Sequence, residues 1–540
     1  MTATRLALRQ GRWGVVGFSL LAFFSSLVQA AGFYQLAGHT AAERAAFGKS
    51  ITVLGSQFSM ILPPPIRPDT VGGYVQWRSF GSLAILFAVW AMAAGSGAAR
   101  GDEERGLTEA LLATSVSRTR VVAARIAAFA AGSFVAAVAA GLGLILPMAG
   151  AGEPPNLGSV MEAAIALCAL TLSCYALTLF IAQFTAARFT TAAAGAVLLA
   201  LFLVNSLSRT FASLASWRWL SPFRYYELSQ PLPPGGHFDL RATLTLLVAA
   251  ALLGLIAAVA FARRDLGSPL LRLPARPHAT SYERSRSLLL RLAVVRGLYQ
   301  RRVGLAVWTA GVALLAVISA SLTKSILDPL LSIPSLAPYF AFFVHGDVYA
   351  SFLGFIWLGL AQMLFAAFAI TQVAGWSAED SDGRLEMILA NSQSRAAIVV
   401  ERAAVLAVGA LVVAAISGVA VVYASHAQGI EVDHTRAAAA TLLLVPFALV
   451  FAATGSVLAA WSPRAAVGLL GGFAFASYLS SQVGPLFKWP AWVQDLSAFK
   501  LYGTPLSSGV DRTGLLVMVV VSVVGFGASI LVMERRDVGA

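Results

Sequence analysis

Apolar runs about as long as a bilayer is thick recur from one end of this chain to the other, and they decide what it can fold into. They lie near 14–36, 79–99, 121–147, 160–184, 190–208, 242–261, 303–322, 351–376, 402–424, 437–460, 465–484 and 514–533. A stretch of ~20 apolar residues matches the ~30 Å hydrocarbon core of a membrane. Backbone groups at that depth must bond internally, so helices or closed barrels are the only solutions, and continuous runs rather than alternation specify helices. Only 12% of the 540 residues are charged against 58% hydrophobic, too few to clothe a soluble surface. The expected fold is all-α and polytopic, with about twelve transmembrane helices.

The net charge of +13 sits in the short segments between these runs. That placement is the Lys/Arg enrichment of cytoplasmic loops, not a nucleic-acid surface with interleaved aromatics. With the N-terminus cytoplasmic, roughly 25 Lys/Arg fall inside and roughly 13 outside, and an even number of spans returns the C-terminus to the same side. The four lysines, Lys49, Lys324, Lys488 and Lys500, then all fall outside, a split with no physical account. Arg5, Arg9 and Arg12 before a run ending in Val28, Gln29, Ala30 and Ala31 imitate a signal peptide. Arg301 and Arg302 precede the 303–322 run in the same way in mid-chain, so the first run is read as a retained span. Between the sixth and seventh runs, residues 262–302 carry ten arginines against Asp265 and Glu283, with Pro269, Pro274 and Pro277 near the start. Its second half, Ser281 to Arg302, has the spacing of an amphipathic interfacial helix, with a plain basic linker as the alternative. Cys168 and Cys174 lie six apart in one run, face different directions on a helix, and read as small core hydrophobes.

The chain is duplicated. Gly106, Glu109, Leu112, Ala113, Ser115, Ser117 and Arg118 follow the second run, and Gly383, Glu386, Leu389, Ala390, Ser392, Ser394 and Arg395 follow the eighth, at one constant offset. Arg125 falls on Arg402 at the same offset, and both segments follow acidic residues: Asp102, Glu103 and Glu104, then Glu379, Asp380 and Asp382. Leu220 to Tyr226 parallels Leu496 to Tyr502, and Arg263 to Gly267 parallels Arg535 to Gly539, each flanking the last run of its half. The expected domains are a first six-span half, 1–265, a basic linker with its amphipathic helix, 266–302, and a second half, 303–540. Six spans return the second half to the same side, so the repeats are parallel and related by a pseudo-two-fold axis along the membrane normal. Within each repeated segment, Leu107, Leu111 and Thr114, or Leu385, Ile388 and Leu389, recur at helical spacing. Acidic residues before and an arginine after complement the dipole of a short helix. Order and duplication in a loop that needs neither suggest a docking surface for a partner; a capped interfacial helix with a packing role is the alternative.

The pattern from Glu104 to Arg118 between the second and third spans resembles the type-2 class of ABC exporter permeases, and the resemblance covers both halves. Among fused permeases it is similar to those grouped with drug and polyketide-antibiotic exporters. It departs from the family's Thr-Pro-Val-Ser at Ser115 and Ser392, and the second copy is looser at Arg384 and Gln393. The resemblance implies an elbow helix before the first span and a short hydrophobic extracellular segment between the fifth and sixth. It implies ATPase coupling through Glu104, Gly106, Glu109, Leu112, Ser117 and Arg118, and through Gly383, Glu386, Leu389, Ser394 and Arg395. It further implies two ABC ATPase chains forming a homodimer, which hold the ATP and magnesium. The expectation is a plasma-membrane permease that is not itself an enzyme and that moves a hydrophobic drug, antibiotic or lipid outward.

Residue chemistry is compatible with that expectation. The nearest approach to a phosphate-binding loop, Gly48, Lys49 and Ser50, has Glu43 where the first glycine belongs. Titratable groups at mid-span, which ion-coupled carriers need, are nearly absent; Glu162, Glu401 and Arg402 sit near span ends. Gln183, Asn205 and Gln362 read first as links between helices. His426, Glu431, Asp433 and His434 share a loop without metal-ligand spacing. Trp217, Trp219, Tyr225 and Tyr226, and in the second half Trp489, Trp492 and Tyr502, read as interfacial anchors or as an outer gate. A path between the halves would be lined by Phe23, Phe24, Phe87, Phe202, Asn205, Phe355 and Phe473, with lipid-facing or packing roles as the alternative for each. An ion-coupled carrier and a non-transporting membrane assembly protein remain the rival classes.

Overall fold

Helices satisfy the backbone along each apolar run. The computed structural model describes residues 3–38, 40–57, 63–114, 116–209, 211–270, 291–331, 347–381, 383–390, 393–485, 489–506 and 508–536. Among the described residues the regular structure is helical apart from one isolated bridge, Gln230 to His237. The chain divides into two compact units, Met1–Ala279 and Thr280–Ala540.

The first unit contains α1 (Ala3–Leu36), α2 (Ala41–Gln57), α3 (Val71–Glu104), α4 (Leu107–Leu112), α5 (Arg118–Gly150), α6 (Leu157–Phe184), α7 (Ala187–Leu207), α8 (Pro222–Glu227) and α9 (Leu240–Arg263). The second contains α10 (Ala293–Gln300), α11 (Arg302–Leu331), α12 (Val348–Ser381), α13 (Arg384–Leu389), α14 (Arg395–Ala427), α15 (His434–Trp461), α16 (Pro463–Val483), α17 (Ala491–Asp495), α18 (Ala498–Tyr502) and α19 (Arg512–Arg535). Among the described residues, eleven helices are long and apolar enough to cross a membrane. The expected span at 465–484 forms as the helix α16.

Packing is repeated along with the sequence. In each unit the first span lies along the third, and the fourth packs against the second and the sixth. Small residues allow this approach. A Cβ added at Gly143 of α5 would stand 2.2 Å from the Phe23 carbonyl oxygen of α1, and one at Gly525 of α19 would stand 2.9 Å from the Ala453 Cβ of α15. Close approach by small residues replaces the hydrophobic drive that lipid removes. Around these contacts the first unit stacks four aromatics across four spans. Phe18 lies 4.5 Å from Trp90, Trp90 5.0 Å from Phe129, and Phe129 4.1 Å from Tyr175. In the second unit Phe447, Phe451, Phe499 and Tyr502 form the corresponding nucleus.

Two expectations change in detail. No separate elbow precedes the first span, because α1 is one continuous 34-residue helix. In the second unit Arg301 leaves the helical conformation (φ −99°, ψ 8°) and separates α10 from α11; residues 281–290 of the expected elbow lie outside the described residues. The near-miss Gly48–Ser50 lies inside α2, where Ser50 Oγ donates to the Ala46 carbonyl at 3.1 Å, not on a strand–helix turn.

Gly143→Val will force α1 from α5 and lower stability by about 1–3 kcal/mol. Gly17→Ala, which meets nothing within 4 Å, will leave the melting temperature of the purified protein unchanged. Equal melting of all three proteins would refute this account of the contact.

Candidate functional site

The second span of each unit ends in two adjacent carboxylates: Asp102 and Glu103, or Glu379 and Asp380. Each member of the pair holds a different arginine. The first carboxylate takes an arginine from the third span: Arg125 Nη2 donates to Asp102 Oδ2 at 2.8 Å, and Arg402 Nη2 to Glu379 Oε2 at 2.7 Å. The second takes the arginine just after the last span. Arg264 grips Glu103 through both guanidinium nitrogens, one bond measuring 3.0 Å, and Arg536 Nη1 donates to Asp380 Oδ2 at 2.6 Å. Three helix ends are thereby locked together in each unit.

A second arginine reinforces the lock. Arg118 opens α5, yet its Nη1 serves the last carbonyls of α9, donating to Phe261 at 3.3 Å and Arg264 at 2.6 Å. Arg395 does the same for α19, donating to Met533 at 2.5 Å, Glu534 at 3.0 Å and Arg536 at 2.8 Å. The terminal carbonyls of a helix are unpaired and carry its negative pole, so these cations complement the last span, not the short helix that precedes them in sequence. Ser117 and Ser394 begin the third spans, their Oγ atoms accepting from Arg120 N at 3.3 Å and Ala397 N at 3.1 Å.

Between these anchors each unit presents one short helix. Gly106 and Gly383 both have φ +70°, the left-handed region that a side chain would strain. Their N–H groups donate to the Glu103 and Asp380 carbonyls, each at 3.0 Å, so the capping-box bond from a third-position glutamate is not formed. Thr108 and Leu385 are buried beneath their helices, and Leu112 and Leu389 are half-buried against the cores. Glu109 and Glu386, like Glu104, are exposed, and their carboxylates make no hydrogen bond or salt bridge among the described residues. Ser115, Asp382 and Ser392 lie outside the described residues.

The two sites are not equal. In the first unit Arg100, 2% exposed, also reaches Glu103 at 3.1 Å and donates to the Ala182 and Thr185 carbonyls, each at 2.7 Å. Gln183 Oε1 accepts from Arg264 Nε at 2.8 Å. The second unit has Ser377 and Ala460 in these places; the Ser377 hydroxyl is buried without a hydrogen-bond partner among the described residues. The sequence marks the carboxylates, Arg125 and Arg402 as repeat landmarks and offers Gln183 as a link between helices, but gives no role to Arg100, Arg264 or Arg536. The coincidence of Arg264 with Arg536 was the available signal.

The comparison with family models matches residues 2–262 and 294–533 to the multidrug efflux system permease Rv1217c, C-terminal domain. The chain belongs to this family. A comparison with curated proteins found no match. The permease is thus a multi-pass membrane protein with two family-model repeats, one in each half.

The residues expected along a transport path separate. Phe87 is fully buried between Phe18 and Trp90, a packing position. Phe23 packs edge-on against Phe24 at 5.3 Å, Phe355 is 60% exposed, and Phe473 lies 5.7 Å from Phe451. Phe202 and Asn205 share one site, at the opposite end of the first unit from α4. There Phe202 meets Phe223 at 5.3 Å, and Asn205 Nδ2 donates to Glu227 Oε1 at 2.8 Å. Glu227 also pairs with Arg209, and burial, outweighing that arginine, raises its carboxyl above the usual range.

Glu103→Ala leaves Arg264, 1% exposed, without its carboxylate, and removing one partner of a buried pair costs about 3–5 kcal/mol. Asp380→Ala will cost less, about 1–2 kcal/mol, because Arg536 is a quarter exposed. Thermal unfolding of the two variants measures the difference, and a larger loss from Asp380→Ala would contradict the inequality.

Proposed function

We propose that this permease is the membrane-spanning part of an ATP-driven exporter whose two ATPase chains dock on α4 and α13. The observation that carries the reading is the pair of short helices, each opened by a left-handed glycine, held on a locked set of span ends and presenting one unpaired exposed glutamate. An exposed carboxylate meeting arginine or lysine on a partner forms a charge-assisted bond. The lock behind it supplies a rigid base, so movement imposed on α4 or α13 passes to the second, third and last spans together. In this reading the ATP and magnesium belong to the ATPase chains. The N- and C-termini, α4 and α13 face the cytoplasm of a cell whose plasma membrane holds the protein. The cargo is a hydrophobic small molecule, a drug, antibiotic or lipid, in keeping with the scarcity of charge within the spans.

One chain already supplies two docking helices, so the intact detergent complex will contain one permease and two ATPase chains. Two permease copies in its mass would refute the stoichiometry. Coupling is tested by Glu109→Gln combined with Glu386→Gln. The double variant will melt with the parent protein, since neither carboxylate supports its own helix, and will lose ATPase binding by roughly tenfold or more together with substrate-stimulated hydrolysis. Glu109→Gln alone will cost more than Glu386→Gln, because Arg100 and Gln183 stiffen the base beneath the first. Parental stimulation in the double variant would remove both glutamates from the coupling role.

A further inference from the structure

At the end of the first unit opposite α4, two arginines find no carboxylate of their own among the described residues. The chain crosses with α5, returns with α6 and crosses again with α7, so residues 208–239 lie at that end. Three arginines, Arg209, Arg218 and Arg224, gather there around one carboxylate, Glu227. That carboxylate is committed to Arg209 and Asn205. The guanidinium groups of Arg218 and Arg224 both lie over the ring of Trp219, at 5.5 and 5.1 Å. Arg218 Nε, Arg224 Nε and the hydroxyl of the fully buried Ser221 are shut off from solvent and have no hydrogen-bond partner among the described residues.

The duplicated segment of the second unit shows what a closed version looks like. Lys500 stands at the place of Arg224 and pairs with Asp495 at 2.8 Å. Ser497, at the place of Ser221, donates to the Ser477 carbonyl at 2.6 Å and accepts from Lys500 N at 3.3 Å. Gln494, at the place of Arg218, donates to the Trp489 carbonyl at 2.7 Å. There the charge is balanced and the donors are used. In the first unit Arg218 and Arg224 have no salt bridge among the described residues, and an anion between them answers both charges.

We propose that Arg218 and Arg224, both half-exposed, bind the phosphate of an anionic phospholipid. Two guanidinium groups match the acceptor oxygens of a phosphate. A free phosphate would satisfy the same donors. The surroundings favour a lipid: Phe211, Trp217 and Leu220 beside the arginines are 51%, 59% and 65% exposed. Large apolar side chains so exposed next to paired arginines suit the boundary between headgroups and acyl chains.

The full-length protein in detergent, titrated with phosphatidylglycerol or with phosphatidylcholine of the same chain length and followed by native mass spectrometry, tests this. Phosphatidylglycerol will be retained in preference to phosphatidylcholine. Arg218→Gln with Arg224→Gln will weaken its retention roughly fivefold for each arginine, whereas Lys500→Gln will leave it unchanged. Should the double variant fail to fold, Arg218→Gln or Arg224→Gln alone will each lower retention roughly fivefold. Equal retention of the two lipids, or undiminished retention of phosphatidylglycerol in these variants, would overturn the proposal. Displacement of the lipid by equimolar inorganic phosphate would assign the site to a free anion and overturn the lipid reading.

Discussion

Everything at the α4 and α13 ends of this permease depends on the adjacent carboxylates that close each second span. A carboxylate near the end of an apolar helix is costly unless paired, and an unpaired arginine is no better. Set side by side, Asp102 and Glu103, or Glu379 and Asp380, point to different neighbours and bind arginines arriving from the third and last spans. The result is a joint among three helix ends that lipid-facing surfaces could not supply, since lipid gives apolar helices little reason to choose one partner over another. Arg118 and Arg395 complete the joint by neutralising the carbonyl end of the last span. The short helices are placed by this joint, and their glutamate carboxylates have no partner among the described residues.

Duplication makes each half a control for the other. The shared features, a glycine at φ +70°, a serine cap and arginines on paired acids, define what the architecture requires. The differences mark where each half has specialised. Arg100 and Gln183 bury extra polar bonds beneath the first short helix, while Trp376 and Ser377 fill the same depth in the second with bulk and an orphaned hydroxyl. At the other end the first unit keeps surplus arginines where the second is neutral. Interior packing follows the same division, with a four-ring stack through the spans of one unit and a nucleus around Phe447 in the other.

Most of the architecture could be read from residue order. Long apolar runs leave helices as the available structure, because unpaired backbone groups are prohibitive in hydrocarbon. The repeat of Gly106 to Arg118 in Gly383 to Arg395 announced the two halves and the segment that matters in each. At the 465–484 run, a helix forms as expected. The absence of an elbow before the first span was not legible, since whether a basic amphipathic stretch breaks from the helix behind it depends on local torsions such as those of Arg301.

What sequence alone determined is therefore the helical class, the duplication and the identity of the repeated segment, all of which follow from local composition and spacing. What tertiary structure decided is which charges meet. Arg118 stands beside α4 in sequence yet caps α9, and Arg264 is far from Glu103 along the chain yet holds it. Asn205 and Phe87, alike as candidates in a list, end respectively on a buried carboxylate and in an aromatic core. Charge pairing and burial depend on distances between residues far apart in the chain, and those distances exist only after the helices have packed.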